Sequence, residues 1–556
     1  MVLPRGNSLN KFNKKIYLFG LLFILLALTI FIWDYGTLIS LGFDDFSYHL
    51  AVAQAFVRAN GVVTWDFWES LPIGRPHNYP PLMHVVLSLF LQLGFSTAQS
   101  AKLILEFVLV GGFAFFAFGL TKVFNIKIAF WSVFLLILWS SFLRMSATVL
   151  PSTLVIFCAP AILYFSLNKK WLSLWSILVL IFYTHLFLPY FMLLALLLYL
   201  LMFERKILFK TFLVILLAFL LYSPWIIHVL FSGLDYIKYF DSSSTYKVIS
   251  SSLRINFFII ALAIFGFIWI ILNRKINFLR PGYFFVIFLI ILLPINLVSI
   301  NRSFNGHLLI IMAVISSLAL PALFKKKIIK GLAAVFFISY LWKTPYLTID
   351  HGNLADVKLS PTFLNVLFSS YFKDQQFAEE KYRNAFKTIE QNSNRGDSIA
   401  GAVWEFEGGN YVQIAQITPA LFFGANSGRP VLNLRQPELH HRDDPDFKKA
   451  RIVILSVPKE DLNVSYLINV GLKTRNADIL GNHFSLVSNK QWSEANKIYI
   501  YKNNLIDTIK ETLPSFRFPL WLADLLLIIL IGTMIGNQFK KYLPEKQPSA
   551  SKDILY

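Results

Sequence analysis

Long apolar runs alternate with short basic clusters along most of the chain. Twelve runs approach the length a helix needs to cross a bilayer, near residues 16–33, 103–121, 128–143, 149–167, 171–185, 187–203, 208–230, 255–273, 282–300, 307–324, 328–345 and 517–537. Inside hydrocarbon the backbone must satisfy its own polar groups, so these runs predict helices. A shorter run, Leu82–Leu93 (LMHVVLSLFLQL), places His84, Ser88 and Gln92 at i, i+4 and i+8. That spacing lines one helix face with polar groups, and it predicts an interfacial or re-entrant helix rather than a crossing.

The pattern changes after residue 345. Residues 346–515 have ordinary polarity, with a predicted helix over 372–389 and strand-like alternation at 398–404, 451–457 and 497–501. The expected plan is an α-helical polytopic membrane protein of about 12 spans with a small extracytoplasmic α/β domain. Residues 1–345 form the transmembrane unit with a large first outer loop (34–102), 346–515 the α/β domain, and 516–556 the final span and a polar tail.

Composition and charge orient this plan. With 56% hydrophobic and 15% charged residues, the chain is excluded from the soluble globular class. If Leu82–Leu93 does not cross, the loops on one side hold 22 Lys and Arg against three acidic residues, Glu204, Glu545 and Asp553. Nearly all of the formal +20 charge is then explained by topology, which removes nucleic acid as an expected partner. Both termini are expected in the cytoplasm of a multi-pass cell-membrane protein. The basic head and first apolar run lack a small-residue cleavage pattern and read as a helix rather than a signal peptide. Cys158, the one cysteine, lies in an apolar run, so neither a disulfide framework nor a thiol metal site is expected.

Candidate chemistry gathers on the outer side. All ten histidines fall there or in the outer half of a span; His351, His440, His441 and His483 belong to the 346–515 region. The other six, His49, His77, His84, His185, His228 and His307, cluster at outer helix ends around one expected cavity. Glu106 lies near the outer end of the second span, where an unpaired charge is costly. It reads equally as a site residue or as the buried partner of an arginine.

The first outer loop is the densest stretch. Asp44 and Asp45 precede a predicted amphipathic helix that Gly61 is expected to close. Capping explains one of the two carboxylates. Asp45, Tyr48 and His49 share a face at i, i+3 and i+4, an arrangement suited to proton abstraction or cation binding. Trp65, Trp68 and Tyr79 suit the headgroup level, prolines 72, 76, 80 and 81 keep the chain extended, and Arg75 and His77 add donors near the acidic pair.

DFSYHL, Asp45–Leu50, resembles the D-x-x-Y-H pattern in the first outer loop of archaeal oligosaccharyltransferase catalytic subunits, and the W…P-x-G…PPL run after it resembles that loop's continuation. The whole layout resembles the GT-C glycosyltransferases, which take sugars from polyprenyl-phosphate or polyprenyl-diphosphate donors. The resemblance implies that the carboxylate at Asp45 acts at the acceptor or binds a divalent metal, Mg or Mn. It implies that an outer arginine, here Arg302 with Arg144 as a second candidate, holds the donor phosphate. The implied partners are a polyprenyl-linked sugar donor, membrane lipids and a protein, glycan or lipid acceptor. Two features depart from the family. The loop after the third span, SSFLRMSATVLPST, has no Asp or Glu, which leaves metal dependence open. In place of the WWDYG acceptor motif stands VWEFEGG, with Trp404 and Glu405 as its acceptor-binding candidates. The alternatives are a transporter or lipid flippase, or a non-catalytic GT-C-like assembly subunit.

Overall fold

The computed structural model describes residues 11–40, 45–66, 68, 75–138, 142, 150–237, 253–255, 257–273, 276–296, 306–323, 343–350, 353–361, 387–393, 399–407, 410–415, 452–458, 484–491, 496–503 and 517–539. The chain begins with α1 (Lys11–Ser40), α2 (Asp45–Ala59), α3 (Leu82–Gln92) and α4 (Thr97–Leu105), which continues through a π-helical turn, Glu106–Gly111, into α5 (Gly112–Val123). There follow α6 (Ile126–Ile137), α7 (Leu150–Leu167), α8 (Trp171–Phe182), α9 (Leu188–Phe203), α10 (Arg205–Ile237), α11 (Phe257–Leu272), α12 (Gly282–Asn296), α13 (Leu308–Leu323) and α14 (Leu520–Phe539). Eleven of the twelve expected runs are helical over their described residues, while residues 328–342 of the other lie outside the description and its end is strand from Lys343. Among the described residues, four segments are long and apolar enough to cross a membrane, Phe12–Ile30, Gln99–Val123, Arg205–Phe231 and Asn277–Pro294, and the remaining apolar helices are shorter.

The second long segment starts earlier than its apolar run. Ser96 caps it in a reciprocal capping box with Gln99, so the helix begins at Thr97 rather than near residue 103. Helices approach closely where side chains are absent. A Cβ on Gly119 would lie 2.6 Å from the Ala161 nitrogen, and one on Gly266 would overlap the Ile315 carbonyl. Neutral hydroxyl pairs join other helices, Ser132 to Ser317 at 2.8 Å and Ser166 to Thr211 at 3.0 Å. Within α10, Pro224 lacks the N–H that the Leu220 carbonyl would accept. The Ser223 hydroxyl donates to that carbonyl at 2.7 Å, and Tyr183 donates to the next, Leu221, at 2.9 Å.

Contacts sort the loops into two ends of the bundle. At one, Arg280 pairs with Glu204 at 3.8 Å and Phe124 packs on Phe278. At the other, α3 is anchored twice: Leu82 N–H donates to the Tyr183 carbonyl at 2.9 Å, and Gln92 donates to Asp524 near the start of α14 at 3.2 Å. Four passes, α4–α5, α6, α7 and α8, separate Gly94 from Tyr183, so both ends of α3 lie at the same end of the bundle. Its 11 residues extend roughly 16 Å, about half the hydrocarbon thickness.

The segment between α1 and α4 has a core of its own, in which Leu50, Val52, Ala55 and Phe56 of α2 and Met83, Val86 and Leu87 of α3 pack with Leu520 and Leu527 of α14. Short strands fasten it: β1 (Gly61–Val62) pairs with β12 (Phe518–Pro519), and β2 (Trp65–Asp66) with β3 (Arg75–Pro76). The Arg517 guanidinium donates to the Ala59 carbonyl at the end of α2. The residue that turns α2 off is Asn60, at φ 50°, and not Gly61 as expected. Gly61 instead admits the β12 backbone, since a Cβ there would sit 2.8 Å from Arg517 Cβ.

Two larger sheets follow. One joins β4 (Leu253–Ile255), β5 (Lys343–Asp350) and β6 (Asn353–Pro361), so the chain between α10 and α11 pairs with the start of the polar region. The other contains β7 (Ile399–Glu407), β8 (Asn410–Ala415), β9 (Ile452–Pro458), β10 (Phe484–Gln491) and β11 (Asn496–Asn503) in the order β10-β11-β9-β7-β8. Only the β7–β9 pairing is parallel among these described strands. The helix expected over 372–389 is described only at its end, where residues 387–392 are helical.

Candidate active site

Asp45 is the first residue of α2, and Asp44 lies outside the described residues. One turn on, α2 presents Tyr48 and His49. His49 Nδ1 meets His84 Nε2 of α3 at 2.8 Å, and the Tyr48 hydroxyl meets His77 Nδ1 at 3.1 Å. Both pairs are buried, and His49, His77 and His84 are 3%, 1% and 0% exposed. The rings of His49 and His84 lie 4.9 Å apart and those of His77 and His84 5.0 Å apart, with Tyr79 closing the group 5.1 Å from His49.

The remaining candidate histidines surround this nucleus. His228 Nε2 reaches the His77 carbonyl at 3.0 Å, and Trp225 packs between their rings. Both residues of α10 follow the turn at Pro224 that the Ser223 hydroxyl supports. His185 contacts Tyr79 at a ring distance of 6.1 Å. Its Nδ1 accepts from the backbone N–H groups of Phe187 and Leu188 at 3.2 and 3.3 Å, satisfying the free start of α9. That cap requires a lone pair. Accordingly, burial first, then the charges of His307 and His49, push the His185 pKa down to about 3. His307, just before α13, reaches the Ser152 hydroxyl of α7 at 2.7 Å. Burial, then the charges of His49 and His77, holds His84 well below the ordinary imidazole range.

Several expected residues are placed otherwise. Glu106 accepts from Thr29 of α1 at 2.7 Å, so its described partner is a threonine rather than an arginine. One turn away, Lys102 donates to the Trp33 carbonyl at 2.6 Å, and these two bonds fasten α4 and its π turn to α1. Trp68 is 2% exposed, inside the loop core, instead of at the headgroup level. Trp404 and Glu405 lie within the β7–β8 hairpin, opposite Gln413 and Val412. Arg144 and Arg302 fall outside the described residues, as do the side chains of Asp45 and Arg75. Tyr79, Ser152 and Trp225 join the cluster without having been singled out for it. Tyr79 and Trp225 are aromatics flanked by prolines, a hint of ordered packing, whereas Ser152 left no signal.

Mg and Mn take oxygen ligands. The described donors are ring nitrogens and phenols, and among the described residues no group of three His, Cys, Asp or Glu is placed to hold a metal. The carboxylate expected to bind such an ion, Asp45, has its side chain outside the described residues. What the arrangement does offer is a buried set of hydrogen-bond donors and acceptors at one end of an apolar bundle, beside the start of the helix that carries Asp45.

The fold and site together define a multi-pass helical membrane protein with a histidine-lined polar centre. No protein-family model matches the chain, and no curated protein matches it. Two solved structures are similar to it, both of ArnT from Cupriavidus metallidurans. The one bound to undecaprenyl phosphate has a TM-score of 0.49 at 12% identity, covering 86% of this chain and 98% of that one. The apo structure has a TM-score of 0.48 at 14% identity, with the same coverage.

Proposed function

We propose that this chain is a GT-C-type membrane glycosyltransferase that moves a sugar or oligosaccharide from a polyprenyl-(di)phosphate donor to an acceptor on the extracytoplasmic side. The observation that carries the reading is the mounting of the D-x-x-Y-H stretch. Its helix begins at Asp45 and delivers Tyr48 and His49 into a buried cluster with His77 and His84. Ionisable groups gathered at the edge of an apolar bundle are costly and point to function.

In this reading Asp45 takes the proton of an acceptor hydroxyl or amide as the acceptor atom bonds to the anomeric carbon. The bond between that carbon and the lipid-phosphate oxygen breaks, and its electron pair leaves with the phosphate. Arg302, with Arg144, holds the departing phosphate, since a guanidinium can bind two of its oxygens at once. A lipid phosphate is already a good leaving group, so positioning and charge stabilisation supply most of the acceleration. The orientation expected from the basic loops disfavours nucleotide sugars, which are cytoplasmic.

A transporter would place charged or substrate-sized polar groups at interruptions near the bilayer midplane. The described hydroxyl pairs deep in the bundle are neutral and bonded to one another. To test the reading, purified protein in liposomes is given synthetic polyprenyl-phosphate and polyprenyl-diphosphate sugars with protein, glycan and lipid acceptors. Acceptor-dependent release of the lipid phosphate is expected. Solute or lipid movement without any sugar transfer would replace this reading with the transporter.

A further inference from the structure

We infer that His185 is a donor-binding residue: the backbone at the start of α9 occupies its Nδ1, so the ring carries its proton on Nε2 and offers that N–H, as a neutral hydrogen-bond donor, to a phosphate oxygen of the lipid-linked sugar. The inference deepens the glycosyltransferase reading above and rests on it for the identity of the ligand.

The tautomer follows from geometry. The Phe187 and Leu188 N–H groups both point at His185 Nδ1, at 3.2 and 3.3 Å. A ring nitrogen that accepts two N–H bonds holds a lone pair and no proton. The neutral ring is then protonated on Nε2, and an imidazolium would turn its own N–H against the two backbone donors. The positive end of the α9 dipole opposes a cation at the same place. The described titratable groups facing the ring are His49, His307 and Tyr79, two imidazoles and a phenol, and none of them supplies the negative charge that would retain a second proton. His185 therefore stays neutral where an ordinary histidine charges, and its backbone bonds polarise Nε2–H into a stronger donor.

Place selects the ligand. His185 lies in the turn between α8 and α9 and is half-buried, whereas His49, His77 and His84 are sealed. Beside it stands His307, bonded to Ser152 at 2.7 Å. His307 shortly follows Arg302 in the chain and Ser152 shortly follows Arg144, so the described ends of both arginine-bearing segments meet next to this ring. From the same turn, Phe187, Leu194, Leu198 and Leu201 form an exposed apolar ridge along one face of α9, on which an isoprenoid chain can lie with its phosphate at the turn. A neutral donor suits this position, because it holds a phosphate oxygen before and after the anomeric bond breaks without giving up a proton.

The test is solid-state NMR of the full chain, 15N-labelled at histidine, in lipid bilayers, together with binding of a short-chain polyprenyl phosphate. The His185 signals are those that His185→Asn removes. They are expected to show a neutral ring protonated on Nε2 at pH 7 and still at pH 5. The Nε2 signal is expected to shift with the polyprenyl phosphate, but not with inorganic phosphate or the unphosphorylated polyprenol. His185→Asn keeps an acceptor for the α9 backbone and loses the ring N–H. At pH 7 its melting temperature should match that of the wild-type protein while the Kd for polyprenyl phosphate rises about tenfold, the scale of one hydrogen bond to a charged group. A proton on Nδ1, a charged ring at pH 5, a signal indifferent to the lipid phosphate or shifted equally by inorganic phosphate, or an unchanged Kd in His185→Asn each overturns the inference. Lipid phosphate bound as expected, with no sugar transfer from any donor, would overturn the glycosyltransferase reading alone.

Discussion

The Tyr48 hydroxyl lies 3.1 Å from His77 Nδ1, and His77 gives its backbone carbonyl to His228 Nε2 at 3.0 Å. This short chain ties α2, the extended loop and α10 into one unit. Tyr48→Phe removes the first link while keeping the ring that packs against His49, His84 and Tyr79. The expected loss of stability is about 1 kcal/mol, the usual net worth of one hydrogen bond. Thermal unfolding in detergent checks that figure. Transfer should fall several-fold, because the loop carrying His77 is no longer held against the helix that carries Asp45.

Gly61 sits where the strand before α14 clamps the segment that carries α2 and α3. A Cβ there would lie 2.8 Å from Arg517 Cβ and 2.9 Å from the Phe518 carbonyl. Gly61→Val must therefore push β12 away from β1, at a cost of about 1–3 kcal/mol for a forced fit. The melting temperature should drop, whereas Arg517→Ala, which loses the bond to the Ala59 carbonyl but adds no bulk, should lower it less.

His185 gives the fold an acid-sensitive joint. Its pKa is about 3 in the folded chain against the ordinary 6.5. Between these values the unfolded chain binds a proton that the native site refuses, so stability falls as pH is lowered through that window. Above pH 6.5 the contribution is fully present. Protonation also removes the lone pair that caps α9. His185→Asn keeps a capping acceptor without the titration, and its melting temperature should decline less from pH 7 to pH 4 than that of the wild-type protein.

The helices were legible because long apolar runs must satisfy their backbone polar groups internally, and eleven of the twelve expected runs are helical over their described residues. The short helix α3 was legible too, from the polar face of His84, Ser88 and Gln92, and two of those three residues now explain its docking. What local pattern could not show was long-range pairing: Gly61 with Pro519, Leu253 with Ile349, and Glu106 with Thr29. The capping box at Ser96 and Gln99 was written in the sequence, yet the apolar run beside it masked the true helix start. In the site, the outer histidines could be grouped by topology alone. Their partners, Tyr79, Ser152 and Trp225, depend on where a bent α10 and the start of α7 come to rest, which no spacing rule encodes.

The central claim is that Asp45 accepts the acceptor's proton during sugar transfer. Its most direct test compares wild-type protein with Asp45→Asn in liposomes, at equal lipid-linked donor and matched folding by thermal unfolding. Asn preserves size and loses the base, so the account predicts a fall in kcat of at least ~100-fold, the usual scale of general base catalysis, with donor binding retained. Equal transfer by the two proteins would contradict it.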